Sequence, residues 1–211
     1  VIESGQANCV LLLTGETYSK FIHPMDHSVC TLFGDGATAT VIRAEEAEAG
    51  LGAFFFGTDG SGAKNLILPA GAMRKPRSEE TAREYTDKDG NTRSEDHLYM
   101  NGREVYRFAL NEVPKTVDTL LTRSGLGPKD IDFLVLHQAN RFMLNKIASR
   151  LEIPEDRIPH EFEDVGNTVS STIPIVLCRL AERGQLKSGH RVMMIGFGVG
   201  YSWAGCVATW R

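Results

Sequence analysis

The chain alternates short apolar runs with amphipathic stretches. Residues 9–16, CVLLLTGE, form an unbroken apolar run ending in turn residues, which predicts a strand buried on both faces. CTLFGDGATATVIRA (30–44) is β-prone but carries Gly-Asp-Gly, a pattern that predicts a close approach of backbone to backbone. LGAFFFGTDG (51–60) predicts a further strand. From Asn101 onward, Val105, Phe108, Val113, Val117, Leu120 and Leu121 recur with helical spacing, and Pro114 is expected to kink or open the middle of that helix. IDFLVL (131–136) predicts a strand. After it the pattern predicts a helix at about 140–151, a short strand around Ile158 to Phe162, a helix at about 168–184, and the strands HRVMMIGFG and YSWAGCVATW. Strands alternating with helices predict an α/β fold with a mainly parallel sheet covered by helices, whose ligands gather at the carboxyl ends of strands.

Residues 72–97 mix acids and bases with almost no apolar positions and predict an exposed excursion, loop or lid. VIESGQAN at the start reads as the last turns of a helix stopped by Gly5, so the chain is expected to be a fragment lacking an upstream portion. Its 211 residues, 42% hydrophobic and 24% charged, suit an ordinary globular protein. A net charge of −4 argues against a general nucleic-acid binder. Cys9, Cys30, Cys178 and Cys206 lie in apolar surroundings without CxxC spacing, which predicts packing residues in a reduced, cytoplasmic setting and neither zinc nor disulfides. No apolar run is long enough for a membrane-spanning helix. His23 and His27 in HPMDH are interrupted by Pro24, so a surface loop is a better account than a metal site.

Three loops hold the candidate chemistry: HQAN (137–140), VGNTVSST (165–172) and GFGVG (196–200). Strands pointing one way bring these loops to one rim of the sheet, and with them His137 and Asn167. A neutral imidazole and a carboxamide both donate hydrogen bonds, so together they suit an oxygen on which negative charge grows, such as that of an enolate. Each signal alone also has a structural reading. A histidine after a strand is commonly a hydrogen-bonded structural residue, an asparagine before threonine is a common helix cap, and G-x-G after a strand is usually a turn. A dinucleotide site is disfavoured because GFGVG runs into a strand rather than a helix.

LHQAN, GNTVSSTIP and GFGVGYSWAG, in this order and preceded by LFGDGATATVI, resemble the 3-oxoacyl-(acyl-carrier-protein) synthases of type III. The resemblance covers essentially the whole chain. It implies a thiolase-like fold of two α/β halves, with 1–48 a remnant of the N-terminal half and 49–211 the C-terminal half. It also implies decarboxylative condensation of a starter acyl thioester with malonyl-carrier protein in fatty acid synthesis. His137 and Asn167 take the histidine and asparagine places of the family's Cys-His-Asn triad, and Gly198 and Val199 lie in the glycine loop beside the oxyanion and acyl pocket. The family's cysteine opens a buried helix and lies, by resemblance, roughly 20 residues upstream of Val1, so the chain alone is expected to be inactive.

The partners implied are an acyl-CoA starter, malonyl-acyl carrier protein and, in the full-length protein, a second copy, with no cofactor. Arg107, Arg141, Lys146 and Arg150 are the implied carrier-docking residues, though a solvated helix face accounts for them equally well. Two departures stand out: Phe142 replaces an arginine usual after the HQAN motif, and Val199 replaces a glycine. Plant-type polyketide synthases and hydroxymethylglutaryl-CoA synthases share the fold but not HQAN. A cysteine hydrolase would show a nucleophile signature absent here. The remaining alternative is a non-catalytic carrier-protein or thioester binding module.

Overall fold

The computed structural model describes residues 1–46 and 50–211. Two strands, β1 (Cys9–Glu16) and β2 (Gly36–Arg43), pair antiparallel as an isolated ribbon. β3 (Leu51–Thr58) opens the larger part of the molecule. The short strands β4 (Leu66–Ile67), β5 (Tyr85–Thr86), β6 (Thr92–Arg93) and β7 (Tyr99–Met100) follow, then the long helix α1 (Gly102–Ser124). β8 (Phe133–Leu136), α2 (Arg141–Ala148), α3 (Thr172–Glu182), β9 (Arg191–Gly198) and β10 (Ser202–Thr209) complete it.

The α/β class holds, but the main sheet is mixed rather than mainly parallel. Its order is β3-β10-β9-β8, with only β8 and β9 running parallel. The reason is connection length. Three residues, Val199 to Tyr201, join β9 to β10 and permit only a hairpin, whereas the route from β8 to β9 passes through α2 and α3 and allows a crossover. β8 is buried on both faces, as its apolar run predicts. Leu134 and Leu136 join the core under α1 and α2, while Val135 faces the opposite side with Val176 and Leu180 of α3.

Helix α1 is capped by the Asn101 side chain, which accepts the Glu104 N–H, and stops at Gly125 in the left-handed conformation (φ 65°). It runs through Pro114 as one element. Proline removes the N–H that would bond the Leu110 carbonyl, and Arg150 of the segment after α2 supplies the missing donor, with Nη1 at 2.9 Å from Leu110 O. No strand forms at 158–162. There the buried Gln138 side chain donates to the Leu136 and Pro159 carbonyls and accepts the Glu161 N–H at 2.9 Å, bonds that take the place of a ladder.

The ribbon β1–β2 is not buried on both faces: Leu11 and Leu13 are 57% and 65% exposed, because β1 has β2 as its sole strand neighbour among the described residues. Its inner end is tied to the loop after Val165. Asn167 N–H donates to Leu32 O (2.8 Å) and Gly34 N–H to Asn167 O (3.1 Å). Any Cβ on Gly34 would lie 1.9 Å from the Val165 carbonyl oxygen, so the close approach predicted for Gly-Asp-Gly is here. Residues 1–6 close with the bond pair of a left-handed helix stop, Gly5 N–H to Ile2 O and Gln6 N–H to Val1 O, with Gly5 at φ 72°. The division expected between residues 48 and 49 falls in 47–49, outside the described residues.

Most of the segment 72–97 is exposed, as expected, but it is anchored to the rest of the chain by a few buried residues. Arg93, 4% exposed, donates from Nε to Asp26 Oδ2 at 2.5 Å and from Nη2 to Asp87 Oδ2 at 3.0 Å. Burial works against the Asp26 carboxylate, yet the hydrogen bonds from Arg93 and Ser28 outweigh it and hold its pKa below the usual carboxylate range. His23 and His27 lie in a loop as expected, with His27 exposed but His23 buried. His23 Nε2 meets Glu84 at 3.1 Å and its ring packs edge-on against His97.

Removing Arg93 leaves the Asp26 carboxylate buried without its partner, so Arg93→Ala lowers unfolding free energy by about 3–5 kcal/mol. The exposed Arg77→Ala on the same segment changes it by less than about 0.5 kcal/mol. Urea unfolding of both variants checks this; equal losses would mean that the segment is anchored elsewhere.

Candidate functional site

The three loops singled out by the sequence meet around one cavity of about 860 Å³, lined among others by His137, Asn167, Gly198 and Val199. His137 follows the last residue of β8. Its N–H still donates to Ile195 O of β9 (2.9 Å), so the ladder fixes the backbone while the ring reaches the cavity. Phe197 packs edge-on against the imidazole, with ring centroids 5.3 Å apart. Nδ1 lies 2.9 Å from Thr172 Oγ1. Desolvation pushes the His137 pKa down to about 4, and the neighbouring Val169 carbonyl, which favours a protonated ring, acts in the other direction without overcoming it. The imidazole is therefore neutral near pH 7.

Asn167 is 8% exposed, and its Oδ1 accepts the Val169 N–H at 2.9 Å. That bond fixes which way the carboxamide faces. The Nδ2 group has no protein acceptor among the described residues and is the donor left for the cavity. The residue supplying the N–H is unusual: Val169 has φ 54°, a left-handed conformation costly for a β-branched side chain. Its peptide serves both chemical residues, since the N–H orients Asn167 and the carbonyl accepts the backbone N–H of Thr172 and lies 2.9 Å from the Thr172 hydroxyl, which also contacts His137.

The structure thus brings together the four residues predicted for the reacting centre. The predicted docking residues do not line the cavity. Arg107 pairs with Glu104 on its own helix, Arg141 pairs with Glu163 and lies over the Phe162 ring, and Arg150 covers the Leu110 carbonyl. Lys146 is exposed in the last turn of α2.

Two features, Thr172 and Arg103, escaped the sequence reading. Thr172 was visible only as part of a polar run, and a threonine opening a helix, able to bond the carbonyl three residues back, is the signal that marks it. Arg103, in the first turn of α1, lines the cavity. Tyr106 and the exposed Phe142 stack with centroids 5.5 Å apart at the cavity wall.

None of the four cysteines lines the cavity. The expectation that all four are packing residues fails for Cys9 and Cys178, which are exposed because β1 has no second strand neighbour among the described residues and Cys178 lies on the outer face of α3. Cys206 fits it: burial pushes its thiol up to about 11, the opposite of activation.

Residues 1–60 match the family model of 3-oxoacyl-(acyl-carrier-protein) synthase III, and residues 121–210 match the model of its C-terminal part. The chain belongs to the 3-oxoacyl-(acyl-carrier-protein) synthase III family. A solved 3-oxoacyl-(acyl-carrier-protein) synthase III superposes with a TM-score of 0.96 at 54% identity, over 99% of this chain and 62% of that one. The synthase III of Thermus thermophilus gives 0.85 at 34% identity, over 100% and 61%. The synthase III of Caldanaerobacter subterraneus is 35% identical over 209 residues, 99% of this chain and 60% of its own length. The chain therefore spans about 60% of the synthase III relatives it matches. These structural neighbours establish the thiolase-like fold class of the family for this chain.

The neutral His137 makes stability depend on pH. Its folded pKa lies below that of the unfolded chain, so the unfolded state takes up the proton first. The contribution is whole above about pH 6.5 and is lost as pH falls toward 4. His137→Asn removes it. The drop in unfolding free energy between pH 7 and 4.5, measured by urea denaturation, should be about 2 kcal/mol smaller in that variant.

Proposed function

We propose that this chain is part of a 3-oxoacyl-(acyl-carrier-protein) synthase III, an acyltransferase carrying out decarboxylative Claisen condensation in fatty acid biosynthesis. Its first 48 residues belong to the N-terminal half of the thiolase-like protein and 49–211 form the C-terminal half. The observation that carries the reading is the pairing, on one cavity, of a neutral imidazole with a carboxamide whose oxygen is already engaged. Two neutral donors suit an oxygen that is uncharged in the ground state and anionic in the transition state.

In the proposed reaction the starter acyl group is carried as a thioester on a cysteine outside this chain. The carboxylate of malonyl-carrier protein leaves as carbon dioxide, and its bonding electrons pass into the thioester to give an enolate. His137 Nε2–H and Asn167 Nδ2–H hold the enolate oxygen. The enolate carbon then attacks the acyl carbonyl, the carbon–sulfur bond breaks, and the cysteine thiolate leaves and regains a proton. The products are a 3-oxoacyl-carrier protein and carbon dioxide. Gly198 and Val199 lie beside the acyl end, and Val199, 49% exposed, narrows the space that a glycine would leave.

Arg107, Arg141, Lys146 and Arg150 are the proposed contacts for the acidic carrier protein, and the working form is a cytoplasmic homodimer. No helix among the described residues is long and apolar enough to cross a membrane. The second reading, a non-catalytic thioester or carrier-protein binding module, is favoured by one observation: no cysteine of this chain lines the cavity.

The chain alone, given an acyl-CoA and malonyl-carrier protein, should yield no 3-oxoacyl product. In a longer form that includes the nucleophile, His137→Ala and Asn167→Ala should each slow carbon dioxide release from malonyl-carrier protein by about 10²–10³-fold. Acyl transfer to the cysteine should continue. Release at the unaltered rate in both variants would overturn the enolate role, and product formation by the chain alone would overturn the assignment of the nucleophile.

A further inference from the structure

The ring of His137 has two nitrogens, and the proposed chemistry needs the proton on one of them. Only Nε2–H can donate to an oxyanion in the cavity, since Nδ1 is turned toward Thr172 at 2.9 Å. Some neighbouring group must keep the proton on Nε2. The choice of nitrogen is set by the hydrogen bond that the other one makes.

Thr172 is buried, 3% exposed, and opens α3. Its hydroxyl has one proton and two neighbours that can accept it, His137 Nδ1 and Val169 O, both at 2.9 Å. The two acceptors are not equivalent. Val169 O already accepts the backbone N–H of Thr172, so it stays bonded wherever the hydroxyl turns. Nδ1 has no other side-chain donor among the described residues. A hydroxyl aimed at the carbonyl instead would require Nδ1 to carry the imidazole proton and would leave a bare lone pair at Nε2, unable to donate.

We propose that Thr172 is a positioning residue: its hydroxyl donates to His137 Nδ1 and so holds the imidazole as the Nε2–H tautomer facing the cavity. This rests on the enolate reading for its purpose but not for its geometry. The hydroxyl is placed by two constraints already described, the first turn of α3 and the left-handed peptide of Val169, whose carbonyl receives the helix's first N–H. The same peptide orients Asn167 through its N–H. One strained unit therefore aims both donors, one directly and one through Thr172.

The test is 15N NMR of the imidazole in this 23.2 kDa chain at pH 7, which distinguishes a protonated from an unprotonated ring nitrogen. The unaltered chain should show Nδ1 unprotonated and Nε2 protonated. Thr172→Val, close to the same shape but without the hydroxyl, should move the population toward Nδ1–H, and Thr172→Ser should restore the original signature. A chain with Nδ1 protonated, or a tautomer ratio unmoved in the valine variant, overturns the proposal. In the longer form with its nucleophile, Thr172→Val should slow carbon dioxide release about tenfold or more at unchanged KM, with serine rescuing it. Should the tautomer move while that rate does not, the assignment of Thr172 stands and the enolate role of His137 fails.

Discussion

Residue Val169 adopts a conformation that an isolated chain would avoid, and the surroundings must hold it there. The loop that carries it is gripped from two sides. On one, Asn167 forms a parallel bridge with Phe33, and Gly34 lets the backbone of 165–166 come into direct contact. The following turn is tied to the β1–β2 ribbon, where Thr14 bonds both Thr38 and Ser171. On the other side α3 begins at Thr172 and its first N–H is spent on the Val169 carbonyl. A strain of about 1–3 kcal/mol survives only under such over-determination. Here the restraint comes from residues 14 to 38 as well as from α3, so the region before residue 47 is structurally part of the site.

The electrostatics of the cavity follow from the same packing. A histidine at a strand end in water would be partly protonated near neutrality. Against Phe197, and with Thr172 as its polar neighbour, it is desolvated and loses that option, and among the described residues no carboxylate acts on the ring to stabilise a cation. A neutral donor pair gains most on an oxygen that is uncharged at first and becomes anionic later. That preference for the later state is what separates acceleration from mere binding.

The sequence makes the site more legible than the frame around it. HQAN and GFGVG close β8 and β9 and GNT leads into α3, and the topology of an α/β sheet converges such loops, so His137, Asn167, Gly198 and Val199 could be placed on one cavity. The mixed sheet was also readable in principle, since three residues between β9 and β10 cannot build a crossover. Other features depend on pairings far apart in the chain. Arg93 meets Asp26 across 67 positions, and Arg150 meets Leu110 across 40. Neither pair has a local pattern, so Arg93 reads as one more charge in a solvated run and Arg150 as one more cation on an exposed helix. The exposure of Cys9 was hidden for a related reason: an apolar strand predicts a cover but not whether the cover lies in this chain.

The four cations proposed to meet a carrier protein are not physically equivalent. Arg107 and Arg141 are engaged in exposed ion pairs with Glu104 and Glu163, a kind of contact worth about 0–1 kcal/mol, so an acidic partner can displace either carboxylate at little cost. Lys146 sits in the open at the end of α2. Arg150 is different, because its guanidinium compensates for the donor that Pro114 removed. Turning it toward a partner uncovers the Leu110 carbonyl, and replacing it by glutamate both reverses a charge and leaves a helix carbonyl without its donor. Loss of partner binding on Arg150→Glu would thus mix docking with a change in α1, the helix that carries Arg103 and Tyr106 to the cavity wall. The electrostatic attraction of a carrier protein is separable from fold integrity only at Arg107, Arg141 and Lys146.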